Sequence, residues 1–391
     1  MKRRIATGID IGTYYVKIVV VEEVKEKGSR SLRVIGTGSA PTQGMHRGYI
    51  VNKKEVAESL RVAKHAAESI SGITISSAFL SIGSVSMKEV RVTGEAIISR
   101  ADQEITENDM NIALGKAYEA TGDTLSNYKI LHEIPIEYHV DSMRVYNRPI
   151  GMKGTRLEIT YLFVTCLQSH VDALIQVAES ADIEITDYTA SAIAQSNVVL
   201  TRDQKMKGCV LTDIGAETVS LVVYDEGIPI SVAVLEGGSS AITDDLALAF
   251  KISIEDAERI KRGRLGGAMY SGKKMDAIIT RRTNALFSLV AKHLKSIRLR
   301  GLLPAGAIIT GGGASNTGIV ETAKRILSLP ARVTDVYIMG DTSNAKFRDS
   351  TWAVAYGTAF WGLTGDTETS GRNVFAKIRT SAQRFFHNFL P

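Results

Sequence analysis

The chain has 391 residues, 44% of them hydrophobic and 23% charged, a composition that excludes a disordered or fibrous protein and predicts at least two packed domains. Cys166 and Cys209 lie in apolar runs without metal-ligand spacing, so neither a disulfide framework nor a cysteine metal site is expected, and a reducing cytoplasm fits best. The sequence has no run of about 18 apolar residues, the minimum for a helix that spans a bilayer, and its net charge of +5 is too mild to indicate a nucleic-acid partner.

The first 83 residues predict an α/β domain. Three strands, the first two joined by a short turn, are followed by a helix at about 54–69 and a buried strand at 77–82. From residue 84 the pattern changes to alternating, charged segments typical of strands, with a helix near 105–118. We therefore interpret 84–162 as an inserted small domain.

The most informative feature is a hairpin pattern that occurs twice. RIATGIDIGTYYVKIVVVEE, from Arg4, and GCVLTDIGAETVSLVVYDEGIPI, from Gly208, both consist of a strand, Asp-Ile-Gly, polar turn residues and a second strand. An internal repeat of this kind predicts two related α/β halves that face one cleft.

The repeated hairpin has the chemistry of a phosphate site. Its glycine lets backbone N–H groups approach a phosphate without a Cβ in the way. Asp10 and Asp213 are expected to face each other across the cleft and to hold Mg²⁺, through water because magnesium sheds its hydration reluctantly. Lys17 follows on the returning strand, where it could reach phosphate oxygens. The alternative is an ordinary hairpin turn, in which Asp and Gly are common; two copies in equivalent contexts favour the phosphate site.

Two glycine-containing segments extend this interpretation. In AGAIITGGGASNTGI, residues 305–319, a buried strand leads into three glycines against which a base or a phosphate can lie. In residues 235–264, Glu258 and Lys261 are three apart on one helical face, where the carboxylate can accept ribose hydroxyls. Each segment alone would favour a simpler explanation, tight strand–helix packing for the first and a solvated salt bridge for the second.

These four elements, in this order, resemble the nucleotide motifs of the actin, Hsp70 and sugar-kinase superfamily. ITENDM at Ile105, ILHEIPIEYHVDSM at Ile130 and PIGMKGTRLEITYLFVT at Pro149 resemble the FtsA family of bacterial actin-like cell-division proteins, and the similarity covers essentially the whole chain. The nucleotide-binding residues expected from the motifs and the resemblance are Asp10, Gly12, Thr13, Tyr14, Lys17, Asp213, Gly215, Ala216, Glu217, Thr218, Gly237, Gly238, Glu258, Lys261, Arg262, Gly311, Gly312, Gly313 and Ala314.

The resemblance implies an α/β, actin-like fold of duplicated ribonuclease H-like domains, with an inserted small α+β subdomain, called 1C, and a C-terminal amphipathic helix. The implied divisions are subdomain 1A at 1–83, 163–200 and 355–363, 1C at 84–162, 2A at 201–237 and 304–354, 2B at 238–303, a linker at 364–371 and the amphipathic helix at 372–391.

The resemblance also implies a function. It implies a protein that binds ATP and Mg²⁺, polymerises head to tail, tethers filaments of the tubulin homologue FtsZ to the cytoplasmic face of the membrane at the septum, and recruits later division proteins. The C-terminal peptide of FtsZ is expected on basic helices of 2B, where Arg282 matches the arginine that relatives present and Ala285 replaces an acid that many relatives have. The expected FtsZ-binding residues are Arg281, Arg282, Lys292 and Lys295.

One departure bears on ATP hydrolysis. The second phosphate loop of the superfamily is usually Asp-x-Gly-Gly-Gly-Thr, whereas this chain has Ala216 and Glu217 in place of the second and third glycines. A Cβ and a carboxylate there would crowd and repel a γ-phosphate, and no residue stands out as a base that activates water. We therefore expect ATP binding with slow or negligible ATPase activity, and no catalytic residue is assigned.

The segment RNVFAKIRTSAQRFFHNFLP, residues 372–391, combines aromatic and basic residues without any acid. On a helix its apolar residues fall within an arc of about 120° flanked by cations, as in a helix that lies in the interface of an anionic bilayer. A core helix can show the same stripe, but the glycine-containing linker and the unbalanced cations favour a membrane surface. The expected membrane-binding residues are Val374, Phe375, Lys377, Ile378, Arg379, Arg384, Phe385, Phe386 and Phe389.

Two other functions remain open at this point. A cytoplasmic adaptor of type IV pilus assembly, similar to PilM, would share the actin-like core and an insert in the same place. A small-molecule kinase of the superfamily would share the nucleotide motifs, but it would need an acceptor pocket with a general base and would have no use for the basic aromatic segment.

Overall fold

The structure is a computed structural model and describes residues 4–26, 29–263, 271–334 and 349–365. The expected amphipathic helix at 372–391, with all nine expected membrane-binding residues, lies outside these ranges, as does the expected linker from residue 366 onward. Residues 364 and 365, the first two of that linker, belong to the last helix.

The two halves of the molecule contain sheets of the same topology. In each sheet the first strand of the half lies at the centre. On one side of it two strands follow in antiparallel pairing, and on the other side two strands follow in parallel pairing. The first sheet consists of β3 (Ser29–Pro41), β2 (Tyr15–Glu26), β1 (Ile5–Ile11), β6 (Ser77–Ile82) and β11 (Glu184–Ala190) in spatial order. The second consists of β14 (Ile228–Glu236), β13 (Thr218–Asp225), β12 (Cys209–Ile214), β15 (Gly306–Thr310) and β16 (Ala331–Val333). The predicted duplication is confirmed strand for strand.

Helices cover the sheets, and glycines allow the closest contacts. A Cβ on Gly38 of β3 would lie 1.9 Å from the carbonyl oxygen of Ala63, and one on Gly8 of β1 would lie 2.2 Å from that of Ala355. The helices are α1 (Lys53–Ser71), α2 (Glu107–Thr121), α3 (Gln168–Ser180), α4 (Ser191–Val199), α5 (Arg202–Lys207), α6 (Ser240–Phe250), α7 (Ile254–Lys261), α8 (Gly272–Ser296), α9 (Ile319–Leu327) and α10 (Ala353–Gly365). Within the described ranges, none of them combines the length and hydropathy of a membrane span.

The insert consists of a four-stranded antiparallel sheet with α2 packed on one face. Its strands are β7 (Lys88–Ile97), β10 (Arg156–Leu167), β8 (Tyr128–Val140) and β9 (Met143–Val145) in spatial order. The expected boundary at residue 162 falls inside β10, because this strand continues into the first half: Leu162, Val164 and Cys166 are fully buried in the core of that half, whereas Phe163 belongs to the core of the insert. β8 and β10 thus contribute residues to both cores.

A small hairpin completes the first half. β4 (Met45–His46) and β5 (Tyr49–Ile50) pair only with each other and lie between β3 and α1 along the chain. Both Met45 and Ile50 pack against the core of the first half. The hairpin is therefore anchored on that half at its base.

Candidate functional site: a cleft between two matched hairpins

The two Asp-Ile-Gly turns have the same backbone geometry. The amide of Gly12 donates to the carbonyl of Tyr15 at 3.1 Å, and the amide of Gly215 donates to that of Thr218 at 2.9 Å. A Cβ on either glycine would lie 3.0 Å from the accepting oxygen, which explains why glycine occupies both positions. The glycine amides close the turns themselves, so any anion would be bound by the amides of the residues within the turns.

Asp10 and Asp213 lie at equivalent positions, each one residue before the end of its strand, and they interact electrostatically. The pKa of Asp213 is raised to about 6, by burial in the first place and by the charge of Asp10 in the second. Burial also raises the pKa of Asp10, against the opposing effects of Lys17 and of a hydrogen bond from Ser81. Lys17 lowers the pKa of both carboxyls, so it lies close to the pair. The structure thus brings together the three groups that the sequence predicted.

Three polar groups that the sequence did not predict complete this cluster. The Ser81 hydroxyl donates to Asp10 Oδ1 at 3.2 Å, the Gln195 amide donates to Asp213 Oδ2 at 3.1 Å, and Lys17 Nζ donates to the carbonyl of Thr351 at 2.5 Å. Ser81 lies one residue before the end of a predicted strand, which is the one signal that could have indicated it. Gln195 and Thr351 are brought in by helix packing and by the return of the chain, which no local pattern encodes.

The cluster suits a hydrated divalent cation. Two partly buried carboxyls with raised pKa values repel each other when both are charged, and a cation between them relieves that repulsion. Within the described part of the chain, the buried Oε1 atom of Gln195 has no hydrogen-bond partner, and it could accept from a water on the cation. No group of three or more His, Cys, Asp or Glu side chains is placed for a metal ion in the described residues. Ligation of Mg²⁺ through water and phosphate therefore fits better than direct protein ligation.

The glycine-rich loop lies directly on the second turn. A Cβ on Gly311 would lie 2.0 Å from Asp213 Oδ1, and one on Gly313 would lie 2.4 Å from a side-chain carbon of Ile214. Tight packing therefore accounts for two of the three glycines. Gly312 differs, because no heavy atom of the described residues beyond its chain neighbours lies within 4 Å of an added Cβ. It is the one glycine of the three that leaves its backbone open to a ligand.

The predicted ribose-facing cluster forms between α6 and α7. Lys261 Nζ and the Thr243 hydroxyl each lie 2.6 Å from Glu258 Oε2, and Arg262 Nε donates to Oε1 of the same carboxylate at 2.6 Å. Glu258 and Lys261 thus form the i, i+3 salt bridge of the alternative, but it is largely buried rather than solvated, since the side chain of Lys261 is only 8% exposed. Both oxygens of Glu258 already have partners, and a ribose hydroxyl would have to share them. Gly238 packs beside the second turn, with an added Cβ 2.1 Å from the carbonyl oxygen of Ala216.

The four residues expected to bind FtsZ lie on α8 in two groups about three turns apart. Arg282 binds both oxygens of Asp245, at 2.6 and 2.7 Å, and Arg281 binds Oδ2 of the same carboxylate at 2.7 Å. These ion pairs lower the pKa of Asp245. Lys292 and Lys295 are exposed near the end of the helix. An acidic ligand would therefore meet two cations that have no ion pair within the described ranges and two that already share one acid.

Comparison with known proteins identifies the family. The family model "Cell division protein FtsA" matches residues 210–357, and the model "SHS2 domain inserted in FTSA" matches residues 87–165. The chain belongs to the FtsA family. FtsA of Pseudomonas aeruginosa is 27% identical over 392 residues, with 95% of this chain and 92% of the relative covered, and FtsA of Bacillus subtilis is 28% identical over 354 residues, with 85% and 79% covered.

Solved structures confirm the actin-like fold. A PilM–PilN type IV pilus biogenesis complex matches with a TM-score of 0.68 at 16% identity, over 92% of this chain and 98% of the other. MreB 5 of Spiroplasma citri, bound to AMPPNP, matches with a TM-score of 0.50 at 13% identity, over 93% and 97%. At these low sequence identities the two matches support the fold and say nothing about function. The family models decide for FtsA over the alternative of a pilus adaptor.

Proposed function

We propose that this FtsA-family protein binds ATP with Mg²⁺ between its two halves and uses the bound nucleotide to form filaments that hold FtsZ at the membrane. The observation that carries the proposal is the convergence of Asp10, Asp213 and Lys17 from two matched hairpins, beside a buried amide oxygen of Gln195 that lacks a partner in the described residues. Family membership supplies the role in cell division.

Different residues of the cleft would bind the phosphates and the hydrated Mg²⁺ ion. Amides and hydroxyls of the two turns, including those of Thr13 and Thr218, would bind phosphate oxygens, since the glycine amides are used to close the turns. Lys17 would exchange its bond to the Thr351 carbonyl for a phosphate oxygen. Mg²⁺, when bound, would neutralise the phosphates, and Asp10 and Asp213 would hold its water ligands.

The other end of the nucleotide would lie between the second half's glycine loop and α7. Gly312 offers open backbone for a flat base, and Glu258, supported by Lys261, offers a carboxylate for ribose. We propose slow or negligible ATP hydrolysis, because Ala216 adds a Cβ to the second turn and the carboxylate of Glu217, which is engaged by residues 46 and 47, would repel a γ-phosphate.

The basic face of α8 is the proposed dock for the acidic C-terminal peptide of FtsZ. A peptide carboxylate would compete with Asp245 for Arg282, and Lys292 and Lys295 would add long-range attraction. Self-association head to tail, later division proteins and an anionic membrane surface, reached through residues 372–391, complete the proposed set of partners at the cytoplasmic face of the septal membrane.

The test is co-sedimentation with vesicles of anionic lipid, for the full chain and for a chain that ends at residue 370, each with and without Mg²⁺ and ATP. We expect the full chain to sediment, and more of it to do so with ATP because filaments bind through many helices at once. The shortened chain should stay in solution, as should the full chain with neutral vesicles. Equal sedimentation of both chains would contradict the role of the tail.

Calorimetry tests the nucleotide part separately. Asp213→Ala should weaken the binding of Mg·ATP by about tenfold or more and remove the ATP-dependent increase in sedimentation, because one of the two cation-facing carboxylates is lost. Asp203→Ala, which removes an exposed pair with Lys207 on α5, is the matched control and should bind like the wild type. Unchanged affinity of the Asp213 variant would contradict the proposed site.

A further inference from the structure

The hairpin of residues 45–50 extends from the first half to the second. Its strands pair at Met45 with Ile50 and at His46 with Tyr49, which leaves a two-residue turn of Arg47 and Gly48 with φ values of 51° and 78°. Both angles are left-handed, as in the type I′ turn of two-residue hairpins, where Asn, Asp or Gly is preferred at the first position. An arginine in this conformation is disfavoured, so its presence at the tip indicates that its side chain has a role there.

The tip of the hairpin binds two acids of the second half. The Arg47 backbone amide donates to Glu217 Oε2, and the Arg47 guanidinium lies 2.7 Å from Glu236 Oε1. His46 Nδ1 lies 3.6 Å from the other oxygen of Glu217. The left-handed turn directs the amide and the side chain of one residue to two different carboxylates.

The two acids belong to the loops expected to hold the nucleotide. Glu217 directly precedes Thr218 in the second phosphate turn, and Glu236 directly precedes Gly237 and Gly238. A Cβ on Gly48 would lie 3.4 Å from the Thr218 methyl carbon. The contact between the halves is therefore made at the mouth of the cleft.

A second contact crosses the cleft nearby. The Arg262 guanidinium, which follows α7, lies 5.7 Å from the ring centroid of Tyr14 in the first phosphate turn. A cation over an aromatic face is attracted to it. Arg47 of the first half thus contacts acids in and beside the phosphate turn of the second half. Arg262 of the second half contacts Tyr14 in the phosphate turn of the first half.

We propose that residues 45–50 form a clasp that holds the two halves together and limits the rate at which a nucleotide enters and leaves. One of the two acids that the clasp binds is Glu217, which stands where the wider superfamily usually has glycine. Its carboxylate is held by Arg47 and His46, so this residue joins the halves instead of only crowding a phosphate. The effect on exchange rests on the proposed nucleotide site, whereas the clasp itself does not.

Release of a fluorescent ATP analogue, followed by stopped flow with Mg²⁺ and excess unlabelled ATP, measures the effect on exchange. Arg47→Ala and Glu236→Ala should each raise the release rate about two- to fivefold, the range expected for an exposed ion pair. The double variant should be no faster than either single variant, because both remove the same contact. Exchanging the charges, Arg47→Glu with Glu236→Arg, should slow release again.

Arg61→Ala is the matched control, since it removes an exposed ion pair with Glu58 on α1, away from the cleft. It should leave release at the wild-type rate. A release rate for Arg47→Ala equal to that of the wild type, with nucleotide bound by both, would overturn the role in exchange.

A distance measurement tests the clasp without nucleotide. Spin labels at Ser69→Cys on α1 and Ser288→Cys on α8, both exposed, report the separation of the halves, and the two native cysteines are buried. The wild-type background should give a narrow distribution that broadens to longer distances with Arg47→Ala. Identical distributions would overturn the clasp. If the wild type bound no nucleotide, the proposed function would be contradicted. The distances between the spin labels would then decide by themselves whether the clasp holds the two halves together.

Discussion

His132 shows how one buried side chain makes stability depend on pH. Its Nε2 atom accepts the amide of Ala190 at 2.9 Å and lies 3.2 Å from the Thr189 hydroxyl, which ties β8 of the insert to β11 of the first half. Burial lowers the pKa of His132 to about 3. The neutral ring is required for this contact, because a protonated Nε2 cannot accept.

The pKa of His132 predicts a loss of stability in acid. Between pH about 6.5 and about 3 the His132 ring binds a proton in the unfolded chain but not in the folded chain. The free energy of unfolding therefore falls as the pH falls, by up to about 1.4 kcal/mol per pH unit from this residue. His132→Gln keeps an acceptor and cannot titrate, so its urea unfolding should show a shallower pH dependence than the wild type. His65→Gln, at an exposed position on α1, is the matched control for the substitution itself. Parallel slopes for wild type and His132→Gln would contradict this assignment.

At the scale of single elements, the packing of α2 on the insert sheet depends on a glycine. A Cβ on Gly94 of β7 would lie 1.8 Å from the carbonyl oxygen of Ala113, which is backbone and cannot rotate away. α2 itself begins with a capping box, in which the Thr106 amide donates to Asp109 at 2.8 Å. The helix start was readable from the sequence, whereas the contact at Gly94 was not, because it joins two elements.

Two glycine substitutions in the insert should have opposite effects. Gly94→Ala should lower the free energy of unfolding by about 2 kcal/mol or more, because the helix must shift away from the sheet. Gly115→Ala, on the exposed side of α2 and with no atom of the described residues near an added Cβ, should raise it by about 0.5–1 kcal/mol through helix propensity. Thermal and urea unfolding of the two variants measure both changes, and similar effects of the two would refute the packing argument.

At the scale of the whole molecule, a partly buried chain of hydrogen bonds fastens the insert to the second half. Glu89 Oε2 on β7 accepts the amide of Val232 at 2.8 Å and the hydroxyl of Ser231 at 2.9 Å, and His293 Nε2 lies 2.8 Å from the same hydroxyl. Nearby, Arg91 donates to the carbonyl of Ile230 at 2.8 Å. Side chains of β7 thereby satisfy the free edge of β14, which would otherwise be open to pairing.

Loss of this chain should loosen the second half from the insert. Glu89→Ala leaves the Val232 amide and the Ser231 hydroxyl without their charged acceptor and should cost about 2–3 kcal/mol, with faster hydrogen exchange at the Val232 amide. Glu95→Ala, on the same strand but in an exposed pair with Arg156, is the matched control and should cost less than about 0.5 kcal/mol. Unchanged exchange at Val232 in the Glu89 variant would show that the edge is protected by other groups.

Strand periodicity, turn glycines and an internal repeat are local patterns, and they were enough to predict the duplicated halves, the insert and the facing Asp10 and Asp213. The sequence also carried the motifs of the family. The packing of the folded chain placed Gln195 and Ser81 beside the carboxylates and paired Arg281 and Arg282 with one acid. It also continued β10 into the first half and brought Glu217 to Arg47. These side-chain contacts join residues between 18 and 170 positions apart, so they follow from how the sheets and helices pack and leave no pattern in any short stretch of the chain.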